Sequence, residues 1–309
     1  MGRVEQYRAE LRRLTEWEAY LKKNSGLPGP RANLELVEAV GEEADAERLW
    51  RLSASSDEFL ALCGTAGLGH IAVSDPVPVI SWLRELAGDR RWRVREGVAL
   101  ALQHLGRYSM PRLLAEMEKW STEDPYLQRA AAAGLCEPSL LKEPEHVVRV
   151  LKVLDRMTKS LAATSMRKTE GYRVLRQTLA YSWSVAAAAL PEAGRPLIDK
   201  WLRSPNKDVV WVMQENLTKG RIMALGPNWV AKRRAKAAVK APAEQAAAAQ
   251  APGTGDEPAR LEAIAPTRKT APVKGRTRAK SKAPAKQAPA KTRPVAAAKK
   301  ATAKRGQKR

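Results

Sequence analysis

The sequence predicts an all-α fold, an α-solenoid of stacked helix pairs followed by a long cationic tail. Three observations carry this prediction. Apolar residues recur at three- and four-residue spacing, and no run alternates with period two long enough to make a strand. Turn signals such as "SASSDE", "VSDPVP", "STEDP", "LPEAGRP" and "SPNKD" separate these short helical stretches. The last quarter of the chain then exchanges large apolar side chains for lysine, arginine, alanine and proline.

The elements follow in order. From Glu5 to Asn24 the positions Tyr7, Leu11, Leu14, Trp17, Tyr20 and Leu21 line one face of an amphipathic helix, which stops at "NSGLPGPR". Beyond it three stretches share a layout: "SWLRELAGDRRWRVREGVALALQHLG", "AEMEKWSTEDPYLQRAAAAGLCEP" and "LIDKWLRSPNKDVVWVMQENLTKGRI". Each reads as a helix ending in Trp (Trp82, Trp120, Trp201), a turn holding Asp (Asp89, Asp124, Asp208), and a second helix of small and aliphatic residues. Arg95 and Arg129 lie 34 residues apart, the period of paired-helix repeats. Between Leu140 and Thr169 the rhythm breaks, leaving a long helix or an inserted loop. The chain thus divides into an N-terminal helix with a Gly/Pro linker (1–31), the helical repeats (32–230) and the tail (231–309).

Charge separates these parts. Residues 1–227 hold 33 Lys/Arg and 29 Asp/Glu, net +4, whereas residues 228–309 hold 22 and 4, net +18. All nine tryptophans fall between 17 and 229, so the core lies ahead of the tail. Two cysteines, Cys63 and Cys136, are too few for a disulfide framework and are expected to be buried and reduced. No stretch reaches the ~18 apolar residues of a membrane span, and the N-terminus has no apolar signal region. The expected location is cytoplasmic, and the nucleoid if the tail binds DNA.

The stretch "DRRWRVREGVALALQHLG" resembles a HEAT repeat, in which a first helix, an Asp-bearing turn and a second helix opening on Val-Arg recur. The resemblance covers roughly residues 32–225 and is similar to a family of bacterial HEAT-repeat proteins to which no activity attaches. It implies a superhelical stack that grips a protein or DNA. One class of bacterial DNA glycosylases acting on alkylated purines has HEAT-like repeats, with an Asp and aromatic residues in a basic concave groove. Trp120 and Asp124 resemble that pair in spacing, but they straddle "WSTEDP", where a core Trp and a helix cap are the preferred expectation.

Other chemistry is scarce. His70, His104 and His146 sit far apart in the repeat order, without ligand spacing for a metal, and no phosphate loop or hydrolase motif occurs. No cofactor, no metal and no catalytic residue is expected. Arg91, Arg93, Arg95, Arg129, Arg173 and Arg176 are candidates for a basic groove on the solenoid, since guanidinium pairs with phosphate and stacks on rings. The competing expectation for the run around Trp92 is a repeat turn in which Arg95 reaches the Asp of a neighbouring repeat. Arg167 and Lys168 extend the second cluster.

The tail is the strongest functional signal. Its composition resembles the Lys/Ala/Pro-rich tails of linker histones and of bacterial histone-like proteins. Lys269, Lys274, Arg276, Arg278, Lys280, Lys282, Lys286, Lys291, Arg293, Lys299, Lys300, Lys304 and Arg305 can follow a polyanion and release its counterions. The charged part has no aromatic residue and gives no means of reading base edges. Nucleic acid, DNA first, is the expected partner of the tail, with an acidic protein or anionic surface as the competing reading; an unidentified protein is the expected partner of the solenoid.

Overall fold

The computed structural model describes residues 2–240, which are helical and contain no strand. The helix expected from Glu5 to Asn24 is two helices, α1 (Arg3–Arg13) and α2 (Glu18–Lys23). Trp17 makes the break. Its indole Nε1 donates to the carbonyls of Leu11 (3.0 Å) and Leu14 (3.1 Å), at the end of the helix where carbonyls run short of intrahelical donors. The ring itself is buried, and Leu21 follows it inward. Asn33 then ties the returning loop down, donating to Tyr7 Oη and the Asn24 carbonyl while its Oδ1 caps α3 (Leu34–Glu43). Helix α1 packs on α3, where Arg8 and Arg12 share the Glu43 carboxylate.

Asp45 and Asp57 accept from backbone N–H groups to start α4 (Ala46–Ser53) and α5 (Glu58–Ser74). Helix α5 is buried nearly all round and packs against α3 and α4. Its Gly64 has no room for a side chain: a Cβ there would lie 2.1 Å from the Ser53 nitrogen and 2.6 Å from the Leu52 carbonyl carbon.

From here the helices follow one another in pairs. Helices α6 (Pro76–Leu86) and α7 (Trp92–Tyr108) form a pair, as do α8 (Met110–Trp120) and α9 (Pro125–Leu135). They are followed by α10 (Pro144–Ala163) with α11 (Glu170–Ala189), then α12 (Pro191–Leu202) with α13 (Lys207–Thr218). The second helices α5, α7, α9, α11 and α13 pack one on the next in chain order and form an inner row. Proline opens α6, α9, α10 and α12, where its missing N–H costs nothing. Short 3-10 turns at Pro138–Leu140 and Gly220–Leu225 lead into α10 and into α14 (Pro227–Lys240).

Two details differ from the expected layout. Helix α6 runs four residues beyond Trp82, because Leu83 and Leu86 still face the core. Asp208 lies inside α13 rather than in the turn; the cap is Asn206, which accepts from Asp208 N at 2.9 Å and Val209 N at 3.4 Å. The irregular stretch 140–169 resolves into the long helix α10 with a turn on either side.

Indoles and an amide join the pairs. Trp82 donates to Ser53 (3.0 Å), Trp183 to Thr158 (3.0 Å) and Trp201 to Asp155 (2.8 Å), so each large ring keeps its polar edge satisfied. Asn216, fully buried on α13, accepts from Ser184 N (2.7 Å) and donates to the Leu179 carbonyl (2.9 Å), inserting its amide into the backbone ladder of α11. Along the outer row, Glu118 takes Arg149, Asp155 takes Lys200 and Asp199 takes Arg233. The last of these lies beyond residue 231, as does Arg234, which donates to the Leu217 carbonyl at 2.6 Å. The boundary drawn at 231 therefore falls within α14.

Candidate nucleic-acid interface

The thirteen tail cations, Lys269 to Arg305, lie outside the described residues. The six groove candidates lie within them, and five sit close to the N-terminal ends of α7, α9 and α11. Arg91 holds the Asp89 carboxylate through Nε (3.0 Å) and Nη2 (2.7 Å) and donates to the Ser55 carbonyl. That contact keeps the Asp89 carboxyl below its ordinary range, against the opposing effect of burial. Arg93 is 4% exposed, stacks on Trp92 at 4.2 Å and faces Glu96 at 3.8 Å. Arg95 donates to the carbonyls of Asp89 (2.7 Å) and Arg90 (3.3 Å), in its own turn. Arg129, 1% exposed, reaches back one period to the Arg95 carbonyl at 2.7 Å.

The series continues on α11. Arg173 pairs with Glu170, whose carboxyl is held low by that bond and, more weakly, by the charge of Arg95. Arg176 lies 3.5 Å from the centre of the Trp211 ring and 3.0 Å from Asp208, which also accepts from Tyr172 Oη. Burial and that bond push the Tyr172 hydroxyl upward.

The structure therefore brings the predicted arginines together but not as an open groove. In a closely packed inner row the guanidinium groups satisfy turn carbonyls and neighbouring carboxylates, and Arg93, Arg95 and Arg129 have almost no surface to offer a phosphate. Trp120 is likewise fully buried, donating to Glu116 at 2.9 Å. Asp124 caps α9, accepting from Tyr126 N (2.8 Å) and Leu127 N (3.3 Å). Neither side chain faces a cleft with the other.

Two histidines that the repeat order sets far apart are in contact. His70 on α5 and His104 on α7 stack with ring centroids 3.7 Å apart and planes 30° apart. Burial lowers both, and the neighbouring ring and Arg107 help bring His104 down to about 4, whereas Glu42 opposes the effect at His70. Their separation of 34 residues, equal to that of Arg95 and Arg129, was the available signal. Cys63 and Cys136 are free and buried, and burial pushes the Cys136 thiol up to about 12.

One cleft of about 480 Å³ opens between the 25–29 loop and the starts of α5 and α7, lined by Lys22, Pro28, Asp57, Glu58, Trp92 and Arg93. Its charges balance within it. Among the described residues no three His, Cys, Asp or Glu side chains converge to hold a metal, and no helix is long and apolar enough to cross a membrane. No protein-family model, curated protein or solved structure matches the chain. Fold and site together define an all-helical protein of packed helix pairs whose buried arginines serve its own architecture.

Proposed function

We propose that the chain is a non-catalytic binding protein, a HEAT-like α-solenoid held on nucleic acid, DNA in the first place, by a sequence-independent cationic tail. The carrying observation is the segregation of charge: net +18 in residues 228–309 against +4 in 1–227. Lys and Arg at that density neutralise phosphates and release counterions. The repeat reading is supported by Arg129 bonding to Arg95 one period away and by pairs that pack in chain order. Raising the local concentration of the helical part on DNA is what such a tether does, so that a protein partner of the solenoid meets DNA there. The proposal includes no cofactor and no catalytic residue. Nothing in the placement of Trp120 or Asp124 favours alkylpurine glycosylase chemistry.

The test is a salt titration of duplex DNA binding by the full chain and by a full-length variant with the thirteen tail cations changed to glutamine. With about eight cations engaged, log K against log salt should have a slope of roughly −7 in the wild type. A variant with the same slope and affinity as the wild type refutes the tether.

A further inference from the structure

The net +4 of residues 1–227 is unevenly placed. Residues 142–176 contain nine Lys/Arg and four Asp/Glu, net +5, so the rest of that span is net −1. Helix α10 carries the centre of the excess. Arg149, Lys152, Arg156 and Lys159 follow a 3-4-3 spacing that puts them on one side of the helix, over about 15 Å of its axis. Val150, Leu154, Met157 and Leu161 bury the other side.

The carboxylates beside this stripe are already occupied. Glu118 is held by both Nε and Nη2 of Arg149, and Asp155 by Lys200 and the Trp201 indole. Arg156, exposed, meets only a carbonyl and a hydroxyl, those of Glu118 and Ser121. Lys152 and Lys159 are exposed and form no ion pair among the described residues. Exposed Arg167 and Lys168 continue the same sign in the turn after α10.

We propose that the outward side of α10, through Lys152, Arg156 and Lys159, together with Lys168 in the turn that follows, binds the phosphate backbone of double-stranded nucleic acid. The inference rests on the reading that the tail engages nucleic acid, and gives the folded part its own contact beside it. Cations of one sign at helical spacing, about 5–6 Å between neighbours, suit a row of phosphates. An acidic protein is the poorer fit, since the helical stripe has no aromatic or large apolar residue to anchor a protein interface and the turn after it offers only the exposed Met166. Lysines here would position the duplex without reading bases, and the tail would raise their effective concentration.

The experiment compares the salt slope of duplex DNA binding for the full chain, for the full-length triple variant K152Q/K159Q/K168Q, and for R3Q/K23Q/R90Q, which removes three exposed cations elsewhere. The α10 variant should flatten the slope by about 2–3, at ~0.9 for each phosphate no longer neutralised, while the control variant leaves it unchanged. Equal slopes for all three proteins overturn the α10 contact and leave the tether standing. Absence of any salt-dependent binding by the wild type overturns both. Loss of binding to anionic phospholipid vesicles by the α10 variant, with its DNA slope unmoved, assigns the stripe to a membrane surface instead and also overturns the proposal.

Discussion

His70 and His104 lie 34 residues apart in sequence and ring on ring in the fold, 3.7 Å between centroids. Facing them are Glu42 from α3 and Arg107 from α7 itself. Both imidazoles are held below their ordinary value, so the unfolded chain binds protons more readily than the folded one as the pH drops. The stabilisation is complete above about pH 6.5 and is lost as the pH falls from there toward 4, the value to which His104 is lowered. Thermal midpoints measured between pH 7.5 and 5 should fall, and His104→Gln should flatten that dependence. The comparison within this window excludes most of the carboxylates, which titrate lower.

Gly64 sits where α4 crosses α5 backbone to backbone. Gly64→Ala should cost at least ~3 kcal/mol, because the atoms a Cβ meets are main-chain atoms that cannot turn aside. Gly88→Ala, with nothing nearer than 3.9 Å, should be close to neutral. Urea unfolding of the two variants measures the contrast, and equal midpoints would show that α4 can shift away.

Asn216 holds α11 from the side, accepting from Ser184 N and donating to the Leu179 carbonyl. Asn216→Leu keeps the volume and removes both of these buried bonds, at a cost of about 2–3 kcal/mol. The loss should appear in the denaturation midpoint with the m-value unchanged.

Asp124 is a helix cap. Asp124→Ala should cost about 1 kcal/mol, and Asp124→Asn, which keeps the accepting oxygen, should restore most of it. Chemical denaturation of the three proteins decides this; an Asn variant as unstable as the Ala variant would show that the charge, rather than the cap, matters.

Local punctuation made much of the helical layout legible. Pro125 and Pro191 mark helix starts, and the Asp57 and Asp124 caps stand where the turn chemistry puts them. The 34-residue step from Arg95 to Arg129 also corresponds to a real contact. What escaped the sequence depends on direction. Trp17 fits the helical period, yet its indole turns back onto Leu11 and divides the helix. The arginines of α7, α9 and α11 share an edge as their spacing suggests, but which way a guanidinium points is decided by the carbonyls the neighbouring turn leaves open. The α10 stripe was readable as 149, 152, 156 and 159; only the placement of Glu118 and Asp155 shows which of its charges remain unspent.

The links of the outer row, Glu118 to Arg149, Asp155 to Lys200 and Asp199 to Arg233, differ in kind from the packing of the inner row. Partly exposed ion pairs of this sort are worth about 0–1 kcal/mol each and weaken in salt, whereas buried apolar packing does not. Bending should therefore open the outer side while the inner helices act as the spine. Ionic strength then sets the compliance of the whole array, stiffer in dilute buffer and more pliant in concentrated salt.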